Sequence, residues 1–355
     1  MAEDDTPETK SKTRKETPTA VMPGCGLDAG TMNFVAARRT GRGVETRRMR
    51  DAFIDLPLDS KKMLKLQGVN YVKMDDQLIV VGDAAMEFAN LFGKEARRPL
   101  QAGMVSAGEL DAQKVLGVLI KKVLGDPTVE GEYCYYSVPA APVDQDRDIV
   151  YHKGILAQII RECGYTPIAS NEALAIIYSE TAQDGFSGIG CSFGSGMSNI
   201  ALAINTVEGL SFSVARGGDW IDAGAAKAVG STGARICSIK EKGVDLMAPE
   251  GRDQEALAFY YRAHIDYVLD NFLEQFLKIK NQFSIPKAIP IVVGGGTSLA
   301  GGFLELFKET FEAKRKRFPI EISEIRAASE PLNAVAQGLL IQALQEYDED
   351  DDDDE

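Results

Sequence analysis

A run of small residues near the middle of the chain could bind phosphate through its backbone. Apolar residues lead into Gly194, Ser195 and Gly196, and a second β-prone run begins after them. This order predicts a strand, a tight turn and a strand, with almost no side chains to keep a ligand away from the N–H groups of the turn. A two-stranded hairpin with such a tip also occurs without any ligand, so the turn alone leaves both interpretations open.

A similar arrangement occurs near the start of the chain. The pattern Gly-x-Asp-x-Gly spans residues 26–30, and Gly-x-Ser-x-Gly spans residues 190–194, about 164 residues later. Both patterns continue into a small or hydroxyl residue, a polar residue and an apolar strand, with one more turn residue expected in the second copy. Asp28 adds a carboxylate at the end of the first strand. An internal duplication of a domain that begins with a β-hairpin explains this most simply.

A third glycine-rich turn follows a predicted buried strand at 289–293. The strand leads into three consecutive glycines at 294–296 and then into Thr297. Glycines at the carboxyl end of a strand permit a flat ligand to approach the backbone closely. A flexible turn without a ligand is the alternative.

The segments between these turns alternate between strand and helix patterns. Residues 133–138 are predicted as a buried strand, 146–163 as an amphipathic helix and 166–170 as a short strand that leads into a helix at Glu172. The longest predicted helix covers 254–280. Its apolar face consists of Leu257, Tyr261, Ile265, Val268, Phe272 and Phe276. Strands that alternate with helices predict an α/β architecture.

Length and composition limit the functional classes. A chain of 355 residues is long enough for two domains. The five cysteines are scattered and odd in number, which indicates reduced thiols and disfavours a disulfide framework or a zinc site. His152 and His264, the only histidines, lie in helix-like sequence and are interpreted as packing or surface residues. No basic stripe with interleaved aromatic residues indicates direct nucleic-acid binding.

Both ends of the chain are predicted to be disordered. Residues 1–20 form a charged, Thr/Pro-rich arm without an apolar face, which predicts neither a signal peptide nor a membrane helix. With no apolar run of roughly 20 residues, a cytoplasmic protein without membrane insertion is expected. The last eight residues, Asp348 to Glu355, are all acidic within a net charge of −14, and 347–355 is predicted to be a disordered tail. Such a tail could aid solubility, dock a basic protein partner or repel neighbours in an assembly.

The three turns, in this order and spacing, resemble the actin superfamily, which also holds the heat-shock chaperone ATPases and sugar kinases. Residues 28–33 resemble its first phosphate motif, 194–199 its second and 291–298 its adenosine motif. Residues 171–175 and 330–338 resemble its two connecting helices. Five motifs in order make a chance match improbable.

The chain length and the motif sequences resemble those of the bacterial actins of the MreB and MamK group. The segments 80–84 and 98–104 resemble the small first-lobe subdomain of that group, with MamK nearer. The match extends over roughly 24–345. No substrate-binding domain is expected after residue 345, which argues against a chaperone.

The resemblance implies an actin-like fold of two duplicated lobes, each with a mixed β-sheet flanked by helices. The first lobe is expected at 21–166 and 330–346, with a small subdomain at about 53–102. The second is expected at 167–329, with a small subdomain at about 217–287. The nucleotide would lie in the cleft between the lobes.

The resemblance also implies roles for individual residues. ATP or ADP would bind with its phosphates on the backbone amides of the two turns, and Asp28 would hold Mg²⁺ through water. Glu172 would orient or deprotonate the attacking water, and Lys240 would lie near the base or ribose. Electrostatic stabilisation would dominate, because phosphoryl transfer leaves little covalent chemistry to the protein. The implied nucleotide-binding residues are Gly30, Thr31, Met32, Asn33, Gly194, Ser195, Gly196, Met197, Ser198, Gly217, Gly218, Asp219, Lys240, Gly294, Gly295, Gly296 and Thr297.

The chain departs from the family pattern at three positions. Ser192 stands where an aspartate is usual, Cys237 where bacterial actins commonly place a ribose-binding glutamate, and Ala173 where a proline follows the catalytic glutamate. A serine has no charge to attract the magnesium shell. Nucleotide binding with slow or rearranged hydrolysis is therefore expected.

The leading functional hypothesis is a cytoskeletal protein that polymerises with itself, head to tail, under the control of ATP. Contacts that do not close on themselves generate such filaments. A non-polymerising adaptor of the same fold is the first alternative, and Ser192 favours it. A small-molecule kinase is the second, but its acidic candidates Asp144, Asp146 and Asp148 are more simply helix-start residues.

Overall fold

A computed structural model gives the fold, and it describes residues 21–106, 108–109, 111–279, 285 and 287–352, with side chains from 22 to 347. The predicted flexible arm at 1–20 lies outside the described residues. The strands are β1 (Val21–Ala29), β2 (Asn33–Thr40), β3 (Gly43–Arg50), β4 (Phe53–Pro57), β5 (Val72–Met74), β6 (Gln77–Val81), β7 (Leu100–Gln101), β8 (Met104–Val105), β9 (Tyr133–Val138), β10 (Thr166–Asn171), β11 (Gly188–Phe193), β12 (Ser198–Ile204), β13 (Val207–Val214), β14 (Ile289–Gly294) and β15 (Ile322–Ala327). The helices are α1 (Lys61–Leu66), α2 (Asp83–Phe92), α3 (Ala112–Leu124), α4 (Val150–Glu162), α5 (Glu172–Glu180), α6 (Gly218–Val229), α7 (Gly233–Lys242), α8 (Gly251–Ile279), α9 (Phe303–Lys314) and α10 (Ala334–Asp352).

Two five-stranded sheets repeat one topology. The first has the order β10-β9-β1-β2-β3 and the second the order β15-β14-β11-β12-β13. In each sheet an antiparallel meander of three strands is extended by two parallel strands on the side of its first strand. The structure therefore confirms the predicted duplication and the α/β fold class.

The two turns that open the sheets are equal in length. Asp28 pairs with Val35 across the first hairpin, and Ser192 pairs with Asn199 across the second. Both pairs are seven residues apart in sequence, so the extra turn residue expected in the second copy does not exist. Asp28 and Ser192 are structurally equivalent positions.

Two helices lie between the sheets and pack unusually close to them. Helix α10 packs on β1 and helix α5 on β11, and the two helices pack on each other. A Cβ atom added at Gly26 would lie 2.2 Å from the carbonyl oxygen of Ala336, and one at Gly190 would lie 2.0 Å from that of Ala173. At the crossing of the helices, a Cβ on Gly338 would lie 1.7 Å from the carbonyl oxygen of Ala175. Only glycine fits at these three contacts.

The larger cores lie on the outer faces of the sheets. In the first lobe α3 and α4 cover β1, β2 and β9, and in the second lobe α8 and α9 cover the second sheet. The predicted apolar face of the longest helix is confirmed, because all six of its residues are buried. The helix begins at Gly251, three residues before the predicted start.

A separate three-stranded sheet forms the small subdomain of the first lobe. Its order is β4-β6-β5, and its core contains Leu64, Val80 and Phe88. The strands and α2 lie within the predicted range 53–102. None of the helices in the described part of the chain is long and apolar enough to cross a membrane.

Two predicted boundaries differ from the structure. Strand β10 pairs with β9 over six residues, so the first sheet extends to Asn171, beyond the predicted lobe boundary at 166. Helix α10 continues to Asp352, because neither glycine nor proline interrupts the chain there. The tail predicted at 347–355 therefore begins within a helix, and residues 353–355 lie outside the described residues.

The close contact at Gly338 makes a testable prediction. Gly338→Ala should lower the free energy of unfolding by about 2–3 kcal/mol, because its methyl group has no space against the backbone of α5. Chemical denaturation measures this change. Gly117→Ala is the matched control, since nothing lies within 4 Å of its added Cβ in α3. That control should be neutral or stabilising by up to about 1 kcal/mol. Equal effects at the two positions would contradict the packing explanation.

Candidate functional site

The two hairpin turns present free backbone amides to one cavity. Each turn is closed by a hydrogen bond, from Gly30 N to Asn33 O at 3.1 Å and from Gly194 N to Met197 O at 3.0 Å. Within the described residues, the amides of Thr31, Met32, Ser195 and Gly196 donate to no protein acceptor. Unused amides that converge in a turn suit an anion.

The cavity has a volume of about 400 Å³ and lies between the lobes. That volume suits a small ligand. Most of the sequence-predicted site residues line it. They are Asp28, Gly30, Thr31, Met32, Asn33, Glu172, Gly194, Ser195, Gly196, Met197, Gly218, Lys240, Gly295, Gly296 and Thr297.

The tip of the β7–β8 hairpin joins the two turns. Gly103 N donates to Thr31 Oγ1 at 3.1 Å, and a Cβ added at Gly196 would lie 2.2 Å from Gly103 N. Only glycine at position 196 lets the second turn approach this hairpin. Both turns are therefore held against a common third element.

Asp28 reaches the cavity from the end of β1. Its Oδ1 accepts a hydrogen bond from Ser137 Oγ at 3.0 Å, and the same oxygen of Ser137 accepts from Ala29 N at 2.8 Å. Burial raises the pKa of Asp28 to about 6, although the Ser137 hydrogen bond acts to lower it. The carboxyl group is thus held in one position but poorly solvated.

Glu172 reaches the cavity from the first turn of α5. The side chain of Asn171 caps this helix by accepting from Ala173 N and Leu174 N. Glu172 Oε2 accepts from Ser192 Oγ at 3.2 Å and from Asn199 Nδ2 at 3.0 Å.

The charge state of Glu172 depends on its surroundings. Burial, followed by the charge of Asp28, raises the pKa of Glu172 to about 8, while the Ser192 and Asn199 hydrogen bonds act to lower it. This carboxyl group is therefore mostly protonated at neutral pH. A bound cation would favour the ionised form of both carboxyl groups.

The departure at Ser192 has a structural consequence. Its hydroxyl group lies within hydrogen-bonding distance of Glu172, where an aspartate would place a second negative charge. The chain therefore replaces a possible metal-binding carboxylate by a hydrogen bond to the candidate catalytic residue. The hydrogen bond fixes the position of the Glu172 side chain, but the site has one fewer carboxylate to attract a cation.

The chemistry of the site fits a magnesium nucleotide with few protein ligands. No cluster of three or more His, Cys, Asp or Glu side chains converges on a possible metal within the described residues. The carboxyl groups that line the cavity are those of Asp28, Asp83, Glu172 and Glu241, and Asp28 directly precedes the first turn in sequence. Mg²⁺ is commonly held by one or two carboxylates, phosphate oxygens and water, which is what this site could supply.

The third glycine-rich turn is hydrogen-bonded to the second turn. Thr297 Oγ1 donates to Gly194 O at 2.8 Å. Gly295 has a φ of +91°, and a Cβ on it would lie 2.5 Å from the carbonyl oxygen of Phe193. Glycine is required there both for its conformation and for its lack of a side chain.

Lys240 is paired within its own lobe. Its Nζ lies 2.6 Å from Asp222 Oδ2, and the pair is largely buried. Cys237 and Glu241 line the same end of the cavity. Glu241 pairs with Arg50 of the first lobe at 2.7 Å, so an ion pair crosses the cleft here.

Four predicted nucleotide-binding residues do not line the cavity. The Ser198 side chain is buried, donates to Arg216 O at 3.1 Å and lies 2.9 Å from His264 Nε2. Gly217 packs on the backbone of the second turn, Gly294 packs against Ile176, and Asp219 lies behind Ser195. Gly217 and Asp219 thus contact the second turn from outside the cavity, whereas Gly294 pairs with Ser192 within the sheet.

The predictions missed several residues that hold or line the site. Ser137 could have been found, because the carboxyl ends of neighbouring parallel strands lie at the same edge of a sheet. Asn199 belongs to the second motif at 194–199 but was assigned no role; its contact with Glu172 follows from its pairing with Ser192 across the hairpin. Arg50 and Glu241 carry no signal in the sequence, because their contact depends on how the lobes meet.

The model of a protein family described as Volactin matches residues 23–343. A search of curated proteins with the sequence finds no match.

Solved structures share the fold. A MamK double helical filament has a TM-score of 0.68 at 21% identity and covers 90% of this chain and 98% of its own. MreB5 of Spiroplasma citri bound to AMPPNP has a TM-score of 0.66 at 17% identity and covers 92% and 98%. A non-polymerising MamK mutant bound to AMPPNP has a TM-score of 0.56 at 20% identity and covers 90% and 98%. These likenesses confirm the predicted actin-like fold.

The raised pKa values of the two carboxyl groups predict a pH dependence of stability. The folded state binds protons at Asp28 and Glu172 more tightly than the unfolded chain does. Their contribution to stability is therefore complete below pH about 4 and is lost as the pH rises through about 8. One unit of pKa corresponds to about 1.4 kcal/mol.

Glu172→Gln should therefore increase the free energy of unfolding of the nucleotide-free protein relative to wild type above pH about 8, with a smaller effect near pH 5. Urea denaturation across this pH range measures the difference. Asp28→Asn should change stability in the same direction by less, because the pKa of Asp28 is raised less. A difference that does not vary with pH would refute the assignment.

Proposed function

The chain belongs to the Volactin family, and we propose that it binds ATP in the cleft and assembles head to tail into cytoskeletal filaments. ATP binding favours assembly in this proposal, and slow hydrolysis of ATP times disassembly. The nucleotide contacts the two turns with its phosphates and the third turn with its adenosine. The filaments organise the cell interior, for example by positioning an organelle or DNA or by setting cell shape.

The observation that carries the proposal is the pair of hairpin turns that face one cavity with unused amides. Thr31 and Met32 come from the first lobe, and Ser195 and Gly196 from the second. A polyanion that bridges both turns would hold the lobes together, because each lobe supplies part of its site. Two of the structural relatives are bound to AMPPNP in corresponding folds, which supports a nucleotide as this polyanion.

Assembly is supported by the relative that forms a filament. The match with the MamK double helical filament covers 98% of the MamK chain. A subunit whose two lobes close on ATP would present a defined shape to the next subunit. Head-to-tail contacts then extend the polymer without closing a ring.

Slow hydrolysis is supported by the environment of Glu172. A protonated carboxyl group cannot accept a proton from water, and its pKa of about 8 favours that state until a cation binds. Ser192 supplies a hydrogen bond in place of a second acidic group. Asp28 would hold Mg²⁺ through water, and Glu172, whose pKa a nearby cation would lower, would then be able to accept a proton from water.

A cytoplasmic location and a partner for the tail complete the proposal. All five cysteines are free thiols in the structure, which suits a reducing compartment. The acidic run after Tyr347 would attract a basic protein or limit the lateral contact of filaments.

A nucleotide-binding adaptor that does not polymerise is the second candidate. The hydrogen bonds of Glu172 to Ser192 and Asn199 favour it, because they suit a site that binds ATP to set a conformation. Assembly in the presence of ATP distinguishes the two candidates.

The role of Ser192 can be tested directly. Ser192→Asp should raise ATP turnover in the presence of Mg²⁺ by about tenfold, because a second carboxylate would attract the metal's hydration shell. Without Mg²⁺ the same variant should be less stable than wild type, since the new charge lies against Glu172. Ser192→Asn, similar in size but neutral, is the control and should show neither effect. Phosphate release and thermal unfolding are the measurements, and unchanged turnover in Ser192→Asp would show that Ser192 does not limit hydrolysis.

Polymerisation can be tested by sedimentation and electron microscopy. With ATP and Mg²⁺ the protein should pellet and form filaments, and with ADP or no nucleotide it should pellet much less. Gly196→Ala should abolish both nucleotide binding and assembly, because its methyl group would collide with the β7–β8 hairpin. Gly117→Ala should assemble like wild type. A protein that stays monomeric under every nucleotide condition would exclude the filament proposal and leave the adaptor.

A further inference from the structure

Arg98 connects the two lobes beside the cavity. It precedes β7 in the first lobe, yet its guanidinium group pairs with Asp219 in the first turn of α6 in the second lobe. Nη2 lies 3.1 Å from Oδ2, and Nη1 lies 3.4 Å from Oδ1. Two parallel contacts of this kind fix orientation as well as distance. Neither residue lines the cavity itself.

Asp219 holds the second phosphate turn at two points. Its Oδ1 accepts a hydrogen bond from Ser195 Oγ at 2.8 Å. Its backbone N–H donates to Ser195 O at 2.8 Å. The side chain and backbone of Ser195 therefore follow the position of Asp219, and Ser195 does line the cavity.

The segment that carries Arg98 is also attached to the first turn. Five residues later, Gly103 donates to Thr31 Oγ1 at 3.1 Å. Gly103 also lies so close to Met197 that a Cβ atom would be 2.3 Å from its sulfur. The position of Arg98 thus depends on both turns at once.

Asp219 poses an electrostatic problem for a phosphate ligand. Its carboxylate is one hydrogen bond away from a turn whose amides suit an anion, so its negative charge would repel that anion. Arg98 is the only cationic side chain that forms an ion pair with Asp219 in the described part of the chain. The pair is half-buried, at 30% and 34% exposure, so solvent screens it only in part.

We propose that Arg98 is a positioning residue that makes the site prefer ATP to ADP. It neutralises Asp219 and, through Asp219, holds Ser195 in the orientation that accommodates the phosphate farthest from the ribose. In this inference the third phosphate group of ATP lies against the second turn, so ATP binding depends on this neutralisation more than ADP binding does. The inference rests on the proposed nucleotide binding and adds the preference between the two nucleotides.

Calorimetric titration of the full chain with ATP and with ADP, both with Mg²⁺, tests the inference. Arg98→Gln should weaken ATP binding by about tenfold and ADP binding by about twofold or less, because it leaves Asp219 unneutralised. Arg98→Lys should retain part of the preference, since it keeps the charge but loses the forked contact. The double variant Arg98→Gln with Asp219→Asn should recover most of the ATP affinity, because the unneutralised charge is gone.

A hydrogen bond between the lobes provides the control. Tyr267 of the second lobe donates its Oη–H to Asp144 Oδ2 of the first lobe at 3.1 Å, and neither residue lines the cavity. Tyr267→Phe should change the affinities for ATP and ADP by the same factor, because it removes a contact between the lobes and leaves the charges beside the second turn unchanged. This control distinguishes a general loss of contact between the lobes from an effect transmitted through Ser195.

Each outcome bears on a different claim. If Arg98→Gln lowers the affinities for ATP and ADP by the same factor, the inference is wrong. It is also wrong if adding Asp219→Asn to Arg98→Gln does not restore ATP affinity. In both cases the proposed nucleotide binding is unaffected. If the wild-type protein binds neither nucleotide, the proposed function fails together with the inference. Thermal unfolding without nucleotide verifies that each variant is folded, and Arg98→Lys allows the same comparison if Arg98→Gln does not fold.

Discussion

The close packing of α5 and α10 between the two sheets is the constraint on which the site depends. Three glycines, at 26, 190 and 338, remove the side chains that would separate the helices from the strands and from each other. Asp28 and Ser192 each lie two residues beyond one of these glycines, at the ends of the central strands. The packing therefore brings both hairpin turns to one cleft, and it sets Glu172, at the start of α5, beside them. A wider helix contact would separate the lobes and divide the site.

Within this frame the site is better suited to holding an anion than to rapid catalysis. Its amides are fixed by the turns themselves, by the β7–β8 hairpin and by Thr297, so little reorganisation is needed when a phosphate binds. Its carboxyl groups, by contrast, are buried close together and share a raised affinity for protons. A bound cation would lower the pKa of these carboxyl groups and so would allow Glu172 to accept a proton from water. In the proposed function, nucleotide binding and hydrolysis would therefore be separable, which suits a nucleotide that controls a conformational state.

The sequence predicts the parts of the structure that follow from local patterns. The repeated glycine spacing predicted the duplication, and the apolar periodicity of the longest helix predicted its buried face. The positions of Asp28 at a strand end and of Glu172 at a helix start follow from local patterns, whereas their expected roles come from the resemblance to the actin superfamily. Sequence patterns could not predict Arg98–Asp219 or Arg50–Glu241, because each pair joins segments more than a hundred residues apart and depends on how the lobes meet. The end of the first lobe at Asn171 was missed because pairing between β9 and β10 is also a long-range property.

A structure of the full chain with a non-hydrolysable ATP analogue and Mg²⁺ would show whether one nucleotide bridges the two lobes. We expect phosphate oxygens within hydrogen-bonding distance of the amides of Thr31 and Met32 in one lobe and of Ser195 and Gly196 in the other. The adenosine should lie along the third turn at Gly295 and Gly296. A nucleotide that contacts only one lobe, or that binds outside the cleft, would rule out this binding mode.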